Sequence, residues 1–360
     1  MNLKKLVPIK HFDPNGTGVK GSIFGLPYTQ DEASLILLPI PWEVTASYQG
    51  GAARGPEVVL EYSPQIDLLS ADINEAWKFG IHMQEIDKDL IRENNRLRPL
   101  ALRYMDWIET GTPSTGLDHK SILNDINQAC LSLKNRVKDS SDELLDAGKM
   151  VATLGGDHST CLGLIESLAS HYNQFAILQI DAHADLRENY QDFEISHASV
   201  MRHVLKQNQV EKLVQVGVRD LCPEEWTLIN QSGDHIVTFL DQNIKEELYE
   251  GGNWEQICER IIRVLPDLVY VSFDIDGLDA RYCPHTGTPV PGGLEFDQVS
   301  YLLKKLVLSG KKIIGFDLSE VSGRGKEQED FWDGNVGARM LYRLAGLMAV
   351  SQGKLEFIHT

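Results

Sequence analysis

Short apolar runs recur along the chain, each closing on polar or glycine-rich residues before a stretch of helical periodicity begins. They read "ASLILLPIP", "MVATLGGDHS", "QFAILQIDAHAD", "KLVQVGVRD", "HIVTFLD", "DLVYVSFDIDG" and "KKIIGFDLSEV". Unbroken Val/Ile/Leu runs indicate strands covered on both faces, and helical crossovers between them indicate parallel neighbours. The expected fold is therefore α/β, a three-layer α/β/α arrangement with a mainly parallel central sheet. In such sheets ligands gather beyond the carboxyl ends of the strands, where the polar tails of these runs lie.

Between about residues 74 and 149 the pattern changes to long, charged, helix-forming sequence, "DKDLIRENNRLRPLALRYMDWIETG" and "KSILNDINQACLSLKNRVKDSSDELLDAGK", separated by the turn-rich "TGTPSTGLDH". This predicts a helical insertion before the first polar strand end, within a single domain spanning residues 1–360 that opens on an N-terminal arm of about residues 1–33. No internal repeat, low-complexity segment or long Pro/Gly/Ser linker divides the chain.

Composition narrows the partners. With 42% hydrophobic residues in a chain of 360, a sizeable core can be buried. The net charge of -18, from 52 acidic against 34 basic residues, argues against nucleic acid and anionic membranes and suits a cationic substrate or metal ions. Cys130, Cys161, Cys222, Cys258 and Cys283 are odd in number, widely spread and without a C-x-x-C pair, so neither a disulfide framework nor a thiolate zinc site is indicated. The first residues lack a signal-peptide core, and no run of about 18 apolar residues occurs. A reducing, cytoplasmic setting is expected.

The chemistry lies in the tails. In "DAHAD" the residues Asp181, His183 and Asp185 are two apart, so they share a face if the backbone stays extended past the strand. Alone, such a motif reads equally well as a solvated loop with a helix cap. "SFDIDGLDA" adds Asp274 and Asp276, again two apart, whose charges repel unless a cation lies between them. "GGDHS" adds Asp157 and His158 behind two glycines that admit close backbone approach. Leaving aside Asp157, four carboxylates and two imidazoles exceed a tetrahedral site and suit two octahedral ions with bridging carboxylates. Mn²⁺ is the natural choice, with Ni²⁺, Co²⁺ or Fe²⁺ as substitutes, and the implied reaction is metal-assisted hydrolysis.

These three motifs, in this order and spacing, resemble the signatures of the ureohydrolases, the family of arginase, agmatinase and formimidoylglutamase, from about Leu35 to the C-terminal helix. The resemblance implies that His158, Asp181, Asp185 and Asp274 hold one Mn²⁺ and that Asp181, His183, Asp274 and Asp276 hold the other. A hydroxide between the ions would attack the guanidinium carbon, releasing urea and an amine. Asp157 would support the ligands rather than join them. Glu320, in "IIGFDLSEV", matches the guanidinium-binding position, where a carboxylate forms paired hydrogen bonds with the planar cation; the alternative is a turn cap. His197, in "FEISHASVMRH", matches a histidine near the metals that moves protons or steadies the leaving amine. Thr288, in "HTGTPVPGG", would lie beside the reacting group, or simply in a turn. His197, Glu320 and Asp185 are thus the expected catalytic residues, and Glu320, His197 and Thr288 the expected substrate contacts. His171, His203, His235 and His285 have no motif partners and read as structural or solvated.

For the far end of the substrate, "LRENYQDFEISHAS" and "PIPWEVTASYQGGAARGPEVV" resemble the agmatinase pattern more than the arginase one, so agmatine or a related guanidino compound is expected. Ala198 after His197, the long charged "SEVSGRGKEQEDFWDGNVGARML" and the helical insertion depart from short agmatinases. They leave open arginine, free guanidine, a guanidino acid or formimidoylglutamate. Trp42, Trp332 and Thr45 are candidates to narrow the pocket, although core packing is the simpler role for the tryptophans. Rival classes are a single-zinc deacetylase on a similar layered fold and a metal-stabilised scaffold without turnover. The family resemblance also implies a homo-oligomer, a trimer or hexamer.

Overall fold

A computed structural model describes residues 11–111, 118–323 and 331–358. Every expected apolar run forms a strand: β1 (Leu35–Ile40), β3 (Met150–Gly155), β4 (Phe175–Ile180), β5 (Val210–Val216), β6 (Ile236–Phe239), β7 (Leu268–Asp274) and β8 (Lys312–Ser319). A further short strand, β2 (Ile81–Met83), lies within the segment expected to be helical. Three residues are too few to print a period on the sequence. The strands form one sheet in the order β2-β1-β3-β8-β7-β4-β5-β6, and every pairing is parallel. The continuous apolar runs have the expected cause: β1, β3 and β4 are buried at every residue.

The helices are α1 (Gly55–Tyr62), α2 (Lys88–Thr110), α3 (His119–Asp146), α4 (Leu162–His171), α5 (Val200–Val204), α6 (Pro223–Gln231), α7 (Asp241–Tyr249), α8 (Trp254–Arg263), α9 (Phe296–Leu308) and α10 (Phe331–Ser351). α1 and α9 pack on α10, and α8 on α9, while α3 packs on α2 and α4. The two long helices of the insertion start where their caps dictate. Asp87 accepts the amides of Asp89 and Leu90, and Asp118 those of Lys120 and Ser121. α2 ends at Gly111, which takes the left-handed conformation (φ 66°). The middle of the expected turn between them, residues 112–117, lies outside the described residues, as does 324–330 of the charged segment. α3 and α4 approach closely through Gly163, where an added Cβ would stand 2.4 Å from the Lys134 carbonyl oxygen. Among the described residues no helix is long and apolar enough to cross a membrane.

Because all strands run the same way, their carboxyl ends share one edge. β3, β8, β7 and β4 are adjacent in the middle of the sheet, and these are the strands whose tails carry His158, Glu320, Asp274 and Asp181. The topology therefore brings together motifs that are far apart in the chain.

Candidate metal centre and substrate pocket

At the end of β3, Gly156 lets the backbone pass under Trp42; a Cβ there would lie 1.8 Å from the Trp42 carbonyl oxygen. The chain then turns, capped by Asp157, whose Oδ1 accepts the Ser159 amide at 3.0 Å. Burial lifts Asp157 to about 6. It belongs to none of the three ligand groups described below.

The turn delivers His158 into a ring of acids. Its Nδ1 stands 2.9 Å from Asp185 Oδ2, 3.0 Å from Asp181 Oδ2 and 3.5 Å from Asp274 Oδ2. The opposite nitrogen, Nε2, is 2.8 Å from Ser272 Oγ, and that hydroxyl donates to Asp317 Oδ1 at 2.8 Å. Since Ser272 spends its proton on Asp317, its oxygen accepts the Nε2–H, which leaves the Nδ1 lone pair facing the carboxylates. Three carboxylate oxygens and an imidazole lone pair converging on one point repel each other unless a cation joins them. Without one the cluster recruits protons. Burial works against charging His158, but Asp181 and Asp185 outweigh it and hold its pKa well above the usual value. Burial, with the charge of Asp181, lifts Asp185 to about 7.

The second group lies alongside. His183 Nδ1 is 3.1 Å from Asp276 Oδ2 and 3.6 Å from Asp181 Oδ1. Two sets, His158/Asp181/Asp185 and Asp181/His183/Asp276, could each hold a metal ion, and they share Asp181. Asp274 sits beside both but completes neither: its Oδ1 accepts the Asp276 amide at 2.9 Å. Burial, then the charges of Asp276 and Asp181, raise its pKa well above the carboxylate range. A third set, His158/Cys161/Asp317, lies on the far side of the imidazole. There burial and Asp317 hold the Cys161 thiol up, so it remains a thiol. The donors in the first two groups, carboxylate oxygens and imidazole nitrogens without a thiolate, fit a hard to borderline divalent ion.

Backbone geometry commits the acids. Asp185 takes a left-handed conformation (φ 54°), and its carbonyl accepts the amides of Met201 and Arg202 at the start of α5. Glu320 is also left-handed (φ 61°); its Oε1 accepts the His158 amide at 3.0 Å, and its Oε2 lies 3.5 Å from where a Gly287 Cβ would be. Burial and the nearby Asp157 and Asp276 charges hold Glu320 well above its ordinary pKa.

A cavity of about 490 Å³ opens over this edge, with His183, Asp185, His197, Gly287 and Thr288 in its lining. His197 Nε2 is 3.2 Å from Ser47 Oγ, its ring meets Tyr190 edge-on at 6.0 Å, and its Nδ1 has no partner. Burial, then the charges of His183 and Arg98, depress it to about 3, so the ring is neutral. None of Trp42, Thr45 and Trp332 lines the cavity. Trp42 is in the core, Thr45 is buried against the Ile195 carbonyl, and Trp332 donates to the Arg281 carbonyl. The four histidines without motifs are tied elsewhere: His171 to the Ser167 carbonyl, His203 to that of Glu194, His235 to that of Glu211 and His285 to Asp333.

Sequence reasoning missed a row of side-chain amides behind the ligands. Thr238 Oγ1 donates to Gln215 Oε1 (2.8 Å), Gln215 Nε2 to Gln179 Oε1 (2.7 Å), and Gln179 Nε2 to Asp181 Oδ2 (2.8 Å). A glutamine inside each of two apolar strands was the available signal. Also missed were Ser47, Asn94 and Arg98.

A family model described as the arginase family matches residues 33–330. The chain belongs to the arginase family. With that membership it is a hydrolase acting on guanidino C–N bonds. Among its relatives in that family, the N(1)-aminopropylagmatine ureohydrolase of Thermus thermophilus is 29% identical over 327 residues, covering 91% of this chain and 94% of the relative. The agmatinase of Bacillus anthracis is 27% identical over 296 residues, covering 81% and 84%. The crystal structure of the agmatine ureohydrolase of Thermoplasma volcanium superposes with a TM-score of 0.68 at 20% identity, covering 93% of this chain and 96% of that one, a likeness of fold.

Proposed function

We propose that this arginase-family hydrolase releases urea and an amine from agmatine or a closely related cationic guanidino compound, with two divalent cations at the strand ends. The observation that carries the reading is the convergence of Asp181, Asp185 and Asp274 oxygens on the Nδ1 of His158, with Asp181 shared by a second group, next to a cavity that Asp185 and His183 line. His158, Asp181, His183, Asp185, Asp274 and Asp276 would hold the ions. Mn²⁺ suits the donors, with Ni²⁺, Co²⁺ or Fe²⁺ as substitutes. Such a pair would supply Lewis acidity and lower the pKa of bound water.

The chain's own groups do the rest. Glu320, with one oxygen fixed by the His158 amide, offers the other to the guanidinium N–H groups. Neutral His197 can accept a proton at Nδ1 and return it to the departing amine. Thr288 and Asp220 line the cavity, and Asp220 is a carboxylate for a distal ammonium group. The relatives named for agmatine and aminopropylagmatine support a cationic far end. We read residues 1–360 as one domain, cytoplasmic and assembled into a trimer or hexamer.

The test is urea release across arginine, agmatine, aminopropylagmatine, guanidine, guanidinobutyrate and formimidoylglutamate, after reconstitution with Mn²⁺ and separately with Ni²⁺. Agmatine or its aminopropyl derivative should give the highest kcat/KM. No product from any compound at full metal occupancy would replace the reading with that of a scaffold.

A further inference from the structure

Helix α2 turns Asn94, Leu97, Arg98, Ala101, Tyr104 and Met105 inward. Their spacing of three and four is that of a core face, yet two of the six are polar, and a buried guanidinium is costly unless its donors are met. Arg98, 8% exposed, meets them with backbone oxygens. Its Nη1 donates to the carbonyls of Val44 (3.2 Å) and Ala46, and its Nη2 lies 3.5 Å from that of Tyr48. One turn earlier, Asn94 Oδ1 accepts the Glu43 amide at 2.8 Å.

The residues between these carbonyls reach the other way. Thr45 Oγ1 donates to the Ile195 carbonyl at 3.3 Å, and Ser47 Oγ stands 3.2 Å from His197 Nε2. The segment is closed at its base by Glu43, whose Oε2 accepts the amides of Gly51 (2.6 Å) and Ala53 (3.1 Å). Residues 43–51 are thus a strap with α2 behind it and His197 in front, and Ser47, Tyr48 and Gln49 form part of the cavity wall. The strap belongs to no helix or strand, so side chains rather than a ladder must fix it. Only a guanidinium spreads donors widely enough to serve three carbonyls at once; an ammonium is a single point, and an apolar side chain would leave all three unmet.

We infer that Arg98 is a positioning residue, which holds the carbonyls of Val44, Ala46 and Tyr48 so that Ser47 orients His197 and the strap sets the width of the substrate pocket. The insertion helix α2 is thereby part of the specificity machinery. The kinetic side of this inference rests on the proposed ureohydrolase reading.

The experiment compares Arg98→Met, Arg98→Lys and Ser47→Ala with the unaltered protein. Arg98→Met should retain the full metal content by elemental analysis while kcat/KM falls by about 10²-fold, the scale of a displacement near 1 Å. Arg98→Lys should recover part of that loss. Ser47→Ala should lower kcat on its own and add little in the Arg98→Met background, because the contact it removes is already gone. Amide exchange should quicken in residues 43–51 and stay slow in β3 and β4. Unchanged kcat and KM in Arg98→Met, loss of metal in step with activity, or full additivity with Ser47→Ala would each overturn the proposal. If Arg98→Met does not fold, Arg98→Lys and Ser47→Ala carry the comparison. If the unaltered protein makes urea from no guanidino compound, the functional reading fails by itself. Slow exchange persisting in residues 43–51 of Arg98→Met would then still sink the strap.

Discussion

His183 and Ser47 face the same cavity but reach it by different routes. His183 stands two residues from Asp181 on the tail of one strand, and four central strands of the sheet fix the neighbouring tails. Ser47 depends on a guanidinium about fifty residues away in the chain and meets a histidine 150 residues away. The first region is held from within by short-range geometry and, once loaded, by ions. The second is held from outside by a helix added to the sheet. Damage to the first should therefore abolish chemistry, whereas damage to the second should retune it.

The sharpest way to break that contrast is His183→Ala or Asp274→Ala. Each should lose metal and activity together, by about 10³-fold or more, because a carboxylate cluster short of one ligand no longer holds its ions in register. Full metal content in either variant would erase the distinction between the regions. Glu320→Gln comes next. It keeps an acceptor for the His158 amide but removes the charge that meets the guanidinium, so metal content should stay while KM rises and kcat/KM falls by about 10²-fold. An unchanged KM would deny Glu320 its role.

A gentler probe is pH. Asp185 is pushed to about 7 by burial and by Asp181, so the ion-free cluster carries a proton there below that value, and an entering ion must displace it. Affinity for Mn²⁺, measured by chelator competition, should fall by about tenfold per pH unit below 7 for each proton displaced. An affinity flat between about pH 5 and 8 would show that protons and ions do not compete.

The smallest effect on activity is expected from Asp72→Asn, far from both regions. Burial pushes the Asp72 carboxyl up, but Arg343, bound through both oxygens at 2.6 and 2.8 Å, and Lys304 at 3.0 Å outweigh it and hold it well below the carboxylate range. A lowered folded-state pKa contributes stability above the unfolded value of about 3.9, and that contribution fades as pH falls below it. The variant should cost about 1 kcal/mol at pH 7, the difference should shrink below about pH 4, and kcat should not move. Thermal melts across that range would check it.

The same contrast explains what could be read in the sequence. Strand tails were legible because each apolar run marks where its strand stops and acids and histidines follow at close spacing; the left-handed turn at Asp185 (φ 54°), which departs from extended backbone, was not. The glycine pair before Asp157 signalled close backbone approach, and Gly156 under the Trp42 carbonyl is that approach. The seven apolar runs were legible because burial on both faces leaves no polar alternation. Arg98 was not, since nothing local separates a charged residue on the exposed face of a helix from one turned inward toward bare carbonyls. Asn94 stands three residues before Leu97 and Arg98 three before Ala101, a register that pattern reading assigns to solvent as soon as a charge appears in it. Asp274 shows the opposite limit. Its Oδ1 caps the Asp276 amide while its Oδ2 faces the His158 ring at 3.5 Å, a division between two jobs that the motif does not announce.

The row from Thr238 through Gln215 and Gln179 to Asp181 has a direction that its last member imposes. An ionised carboxylate can only receive, so the Gln179 amide must turn its NH₂ forward and its oxygen back, Gln215 must copy it, and the threonine hydroxyl closes the line. An edge strand thus reads the ionisation of an acid two strands inward without any charge passing between them. Exchanging either glutamine for glutamate would set oxygen against oxygen at one joint, and the whole file would have to reverse or admit a proton.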